Sequence, residues 1–247
     1  MKIRNTMAIL CLTLVAVCTS GEAFAGILAE KTRVIYAENS RERSLMLVNT
    51  NPWPVIVQTW SDDGRGSSDY PDSPFIVTPA IFRLEPRQMQ GIRITYNGSQ
   101  LPEDRESVYW LNIYEVPPLD KRNEQHSHLT MTMNTQIKIF YRPAALAKID
   151  NIASRISFIT GQDRHGSFIE CHNPTPYHIS FTDIYLVLAQ KEIKARGEMD
   201  MMTYPKSNKR YYLGETAEKL SGGRAKFYYI SDSGAIENNE TVITHSK

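Results

Sequence analysis

Residues 129–141 read LTMTMNTQIKIFY. The first half alternates without a break, with Leu129, Met131 and Met133 on one side and Thr130, Thr132 and Asn134 on the other. That period of two marks an extended strand, because successive side chains leave a strand on opposite faces. At about 13 residues it is long against the usual five or six. Arg142-Pro143 ends it, since proline has no N–H to give a ladder. A strand of this kind ordinarily pairs on both edges; left at a sheet edge, it is a template for another chain. From alternation alone, Leu129, Met131 and Met133 would fill the protein's own core. By the same alternation Lys138 falls on the opposite face from Met131 and Met133.

The same texture continues in both directions. Toward the N-terminus, residues 32–36 (TRVIY), 44–49 (SLMLVN), 55–60 (VIVQTW), 91–96 (GIRITY) and 107–114 (SVYWLNIY) are short and rich in β-branched and aromatic residues. Turn-forming clusters at 37–41, 51–54, 61–73 and 97–104 separate them. Beyond Pro143 the style resumes at 156–160, 167–172, 178–190, 210–213 and 224–231, while the charged stretch 192–209 shows no clear period. No part of the first half holds a helical period. Regularly spaced short strands predict an all-β protein of sandwich type. A boundary within 144–150 divides it into domains at 26–145 and 146–247.

Residues 1–25 are an address. Lys2 and Arg4 precede an apolar run at 7–18, and Ala23-Phe24-Ala25 fits a cleavage site that leaves Gly26 as the first mature residue. The run is shorter than the roughly 20 residues a membrane span needs, and no later stretch is long enough, so a soluble, exported protein without a membrane span is expected. The remainder suffices for one large domain or two of about 100 residues each. The chain carries a formal charge of +1, which speaks against nucleic acid as a partner. Cys11 and Cys18 leave with the leader. Cys171 then stands alone, so no internal disulfide forms and an ordinary apolar core, with Cys171 buried in it, must hold the fold.

Enzymatic signatures are missing from the sequence. It has no Gly-x-Ser-x-Gly elbow and no His-Glu-x-x-His pair. His126-Ser127-His128 brings no fixed third ligand for a metal. No catalytic residue, cofactor or metal is therefore assigned. A secreted carbohydrate-binding β-sandwich is the alternative class. It needs exposed aromatics on a concave face, whereas Trp53, Trp60 and Trp110 fall mostly within strand patterns and are assigned to the core.

Several runs, in order, carry a resemblance. They are Thr32-Arg33; Thr78-Pro79 with residues 82–86 (FRLEP); 101–107 (LPEDRES) followed by Trp110-Leu111-Asn112 and 115–118 (EVPP); 136–143 (QIKIFYRP); and 173–177 (NPTPY). Together they resemble the periplasmic chaperones of the chaperone–usher pathway, which assemble pili and fimbriae, over nearly the whole mature chain. The short, cysteine-free connection between Pro118 and Leu129 resembles the short-loop branch. Met131 and Met133 stand where relatives often carry Leu, Ile or Val.

The resemblance implies two immunoglobulin-like β-sandwich domains at an angle with an interdomain cleft. It implies that the chain binds pilin or fimbrial subunits that lack a strand, lends them its own through Leu129, Met131 and Met133, and delivers them to an outer-membrane usher. Arg33 and Lys138 align with two basic residues that grip the subunit's C-terminal carboxylate; read alone, they would sit on a solvated strand face. Glu106, Arg142 and Asp232 align with a charged trio linking the domains; read alone, they are three unrelated surface charges. The exposed strand also offers a surface for self-association.

Overall fold

The computed structural model describes residues 26–118, 131–146, 151–189, 191–214 and 223–243. The expected leader and Leu129 lie outside them.

The chain is all-β, as two sandwiches with separate cores. In the first, β1 (Ile27–Ala29), β3 (Arg43–Asn49), β7 (Met89–Tyr96) and β5 (Phe75–Thr78) form one sheet in that order. The facing sheet runs β2 (Arg33–Ala37), β9 (Met133–Arg142), β8 (Ser107–Val116), β4 (Val55–Asp62) and β6 (Ile81–Leu84). Alternate residues turn inward: Leu45 and Leu47, Ile92 and Ile94 from one sheet; Val55 and Val57, Leu111 and Ile113, Ile137 and Ile139 from the other. All are buried, each worth about 1.5–3 kcal/mol relative to exposure. Every strand with that spacing thus has one face it must cover, which is why two sheets close on each other.

The second sandwich packs β10 (Ser157–Asp163), β11 (Gly166–Asn173) and β15 (Ser207–Tyr212) against β13 (Lys191–Lys194), β12 (Ile179–Leu188), β16 (Arg224–Ile230) and β17 (Ile236–Val242), with the two-residue β14 (Met202–Thr203) also on β12. Its core holds Phe158, Ile169, Phe181, Ile184, Leu186 and Phe227. Cys171 is in it too, fully buried, and burial pushes its thiol up to about 12. Among the described residues no helix is long and apolar enough to cross a membrane.

Three expectations need correction. The long strand is shorter than 129–141 among the described residues, starting at Met133 and ending at Arg142. The six strands β1, β5, β6, β13, β14 and β17 were not expected. Five are four residues or fewer, and β17 reads IENNETV; it forms because it pairs with β16 along its whole length, not because it is apolar. The tryptophans are not core. Inward Val57 and Thr59 leave Trp60 on the outer face of β4, inward Leu111 leaves Trp110 on the outer face of β8, and Trp53 is exposed in a loop.

Candidate functional site

β9 has unequal neighbours. Antiparallel β8 pairs along one edge, from Glu115↔Met133 to Ser107↔Tyr141. On the other edge β2 pairs in parallel, but only from Arg33↔Lys138 to Ala37↔Arg142. Residues 133–137 therefore present a free strand edge among the described residues. Neither ladder contains a register shift, so parity holds along β9. Ile137, Ile139 and Tyr141 enter the first core, and Lys138 and Arg142 lie on the opposite face. Met133 shares the core-facing parity but stands beyond the core's end, 46% exposed; Met131, just before the strand, is 76% exposed. The open edge is thus bordered by apolar side chains that no other described residue covers.

Beside the start of β9, the residues leading into β1 are fixed to β8. Gly26 has φ +77°, and a side chain there would meet Met133 Cε at 2.5 Å and Glu115 Oε2 at 2.7 Å. Glycine takes that left-handed, crowded position without strain. Buried Glu115 accepts the Ile27 N–H at 3.0 Å and the Asn51 side-chain N–H at 2.6 Å.

Where the free edge stops, two cations meet. The pairing of Arg33 with Lys138 on adjacent strands sends both side chains to the same face. They line a cleft of about 460 Å³ with Trp110 and Gln136 from the first domain and Phe181, Glu198, Met199 and Ile230 from the second. Arg33 is buried. Its Nη1 donates to the Ile230 carbonyl at 2.9 Å, and its guanidinium lies over the Phe140 ring at 5.5 Å. Its Nε has no hydrogen-bond partner among the described residues. Burial lowers the Arg33 pKa; Asp232 and Glu106 counter this at a distance while Arg142 adds to it. Among the described residues no carboxylate pairs with Arg33, and a buried cation left so is a costly arrangement that an incoming anion relieves. Lys138 Nζ donates to Asp200 Oδ1 at 2.7 Å and lies 6.0 Å from the Trp110 ring.

The charged trio lies on the same sheet face, four residues along. Arg142 Nε donates to Glu106 Oε1 at 2.7 Å, and Nη2 donates to Asp232 Oδ1 at 2.6 Å. Glu106 and Arg142 belong to the first sandwich and Asp232 to the turn after β16 in the second. The other Glu106 oxygen accepts the His178 backbone N–H at 2.8 Å and lies 2.7 Å from His178 Nδ1. Burial alone would lower the Arg142 pKa, but its hydrogen bond to Asp232 and the Glu106 charge hold it above its usual value. The hydrogen bond from Arg142 likewise holds Asp232 below its ordinary 3.8, against burial. A lowered carboxylate pKa adds stability that is complete above the unfolded value and is lost as pH falls through the folded one. The stability difference between the wild type and Asp232→Asn should therefore be constant above about pH 5 and narrow as pH falls below the ordinary carboxylate range, through the lowered folded value. Paired melting curves across that range check this; a gap that does not narrow removes the ion pair as its source.

Three participants were missed in the sequence. His178 directly follows the 173–177 motif, and that adjacency was the available signal. Trp110 was placed in the core, although its parity with Lys138's partner position points to the cleft. Asp200 sits in the charged stretch with no readable period, 62 residues from Lys138, and no local pattern announces it.

Residues 26–147 match the family described as "Pili and flagellar-assembly chaperone, PapD N-terminal domain", and residues 152–241 match "Pili assembly chaperone PapD, C-terminal domain". The chain is 32% identical over 228 residues to the chaperone protein FimB/FhaD of Bordetella pertussis, covering 90% of this chain and 89% of that one. It is 33% identical over 246 residues to the probable fimbrial chaperone YadV of Escherichia coli, covering 96% and 97%. The crystal structure of the YadV chaperone matches with a TM-score of 0.75 and 29% identity over 89% of this chain and 100% of that one. The Salmonella enterica SafB chaperone, solved in complex with the SafA pilin, shares the fold at a TM-score of 0.72 and 24% identity, covering 91% and 99%.

Proposed function

The chain belongs to the PapD family of pilus-assembly chaperones, and we propose that it acts in the periplasm by lending the free edge of β9 to fibre subunits that lack a strand. The observation that carries this reading is that free edge, bordered by exposed Met131 and Met133 and ending at Arg33 and Lys138. A subunit short of one strand exposes unpaired backbone groups, which are expensive to bury unsatisfied. β9 offers those groups a ladder. Leu129, Met131 and Met133 offer apolar side chains at alternate positions, and methionine adapts to grooves of differing shape. The client's C-terminal carboxylate would lie between Arg33 and Lys138. A strand that ends there and runs back along residues 137–133 must be parallel to β9, in line with β2. The carboxylate fixes its register, and a slip of one residue would turn every side chain to the wrong face. Handover to an outer-membrane usher completes the proposal.

The test is co-expression of the tagged chain with the fibre subunits encoded beside it, followed by affinity purification from periplasmic extract. A one-to-one complex is expected. Met131→Asp should reduce its recovery by about tenfold or more, since a methionine's burial, about 1.5–3 kcal/mol, is replaced by burial of a charge. The free protein should keep its melting temperature, because the site is exposed. If no subunit is recovered and the isolated protein instead binds glycans, the carbohydrate-binding class takes its place.

A further inference from the structure

Lys138 is already occupied. We propose that Asp200 is an internal substitute for the client's terminal carboxylate, holding the Lys138 ammonium until a client displaces it. This rests on the anchor role given above to Arg33 and Lys138.

The geometry of the segment around Asp200 supports an exchangeable contact. Asp200 reaches Lys138 from the second domain, across the cleft, with one carboxylate oxygen 2.7 Å from Nζ. Its backbone carbonyl accepts from Lys209 Nζ, and Lys209 also lies 3.2 Å from Glu198 Oε2. Between the two carboxylates, Met199 is fully exposed. Residues 198–200 are therefore held by ions and hydrogen bonds, and the apolar anchoring begins only at Met201, which packs on the second core, and Met202, which is fully buried. Lys138 and Asp200 are 22% and 36% exposed, so water screens their attraction, and pairs of this kind are weak. A client that brings its own carboxylate, its β-ladder and its methionine contacts together can out-compete one such ion pair. Arg33, by contrast, has no carboxylate partner among the described residues and is held by the Ile230 carbonyl. Of the two anchor cations, only Lys138 is lent to an internal carboxylate among the described residues.

The consequence is a competition. A site engaged internally for most of the time binds a ligand more weakly by the fraction left open. It also offers a route for release, because Asp200 can retake Lys138 as the client leaves. A purely structural Asp200, serving only to join the domains, would not distinguish a free carboxylate from an amide.

The experiment uses the full mature chain and a short fluorescent peptide of alternating apolar and threonine residues, prepared with a free C-terminal carboxylate and as the C-terminal amide. Asp200→Asn should tighten binding of the acid peptide by about two- to sixfold, the relief expected from losing one screened ion pair, and leave the amide unchanged. Lys138→Ala, measured alongside, should make acid and amide bind alike. If Lys138→Ala does so while Asp200→Asn changes nothing or weakens the acid peptide, the anchor stands and the competition is overturned. If acid and amide bind the wild type alike, the anchor itself fails and Asp200 has nothing to compete with. Hydrogen exchange on the unsubstituted protein gives a second reading. Backbone amides at 197–200 should exchange faster when the acid peptide binds, as Asp200 lets go; slower or unchanged exchange there overturns the proposal.

Discussion

Lys138→Ala is expected to weaken the complex with a fibre subunit by about 10- to 100-fold while leaving the free protein folded. A hydrogen bond between a charged donor and a carboxylate is worth about 1.5–3 kcal/mol, and each 1.4 kcal/mol is a factor of ten. Folding itself loses little, because Lys138 makes one solvent-screened ion pair, to Asp200. Arg33→Ala should match or exceed this effect, since Arg33 is the more buried of the two and has no carboxylate partner among the described residues. Its effect on stability is a balance: the hydrogen bond to the Ile230 carbonyl across the cleft is lost, and a desolvated cation is removed. Titration of a purified subunit against each variant, with melting curves beside it, measures both quantities. Complexes that survive both substitutions undiminished would end the anchor reading.

Arg142→Ala should be the most destabilising single change in the molecule outside the two cores, at about 3 kcal/mol, the low end for breaking a buried pair. The two carboxylates contribute unequally. Asp232 is 60% exposed and recovers water when Arg142 goes, so its share is small. Glu106 is 1% exposed and, among the described residues, would keep only His178 as a side-chain partner. Nearly all of the cost is therefore Glu106's buried charge. Arg142→Lys should recover less than half, because an ammonium cannot serve Glu106 and both Asp232 oxygens from one planar fork. Urea unfolding of the three proteins gives the ordering. Equal stability for Arg142→Ala and the wild type would show that the domains are held elsewhere, for instance by the Lys206–Asp104 contact at 2.6 Å.

What could be read in advance followed from local composition. Strands β3, β4, β7, β8 and β9 each lie in a short window rich in β-branched and aromatic residues, and the structure buries Leu45, Val57, Ile92 and Leu111 within them. Strands without that signature escaped. Ile27–Ala29 is too short to show one, and Ile236–Val242 is made by its neighbour rather than by its own residues. Partnerships across the cleft lie beyond any local pattern: Arg142 meets Glu106 across 36 positions and Asp232 across 90. Those three, with Arg33, came from the likeness to a family, because nothing in their neighbours' chemistry singles them out. Asp200 had neither a period nor a matched motif, and it came into view only with coordinates.

The parallel ladder between β2 and β9 has one more consequence. β2 begins at Arg33, at the point where the empty edge of β9 stops. A guest strand laid along that edge enters a cul-de-sac, with β2's own backbone as its end wall. A segment from the middle of a chain would have to continue through that wall, so only a loose end can park there. Under this reading the chaperone inspects termini. A subunit whose last residues are still emerging, or carry an extension, is turned away whatever its groove looks like, and loading waits until the guest has been delivered in full.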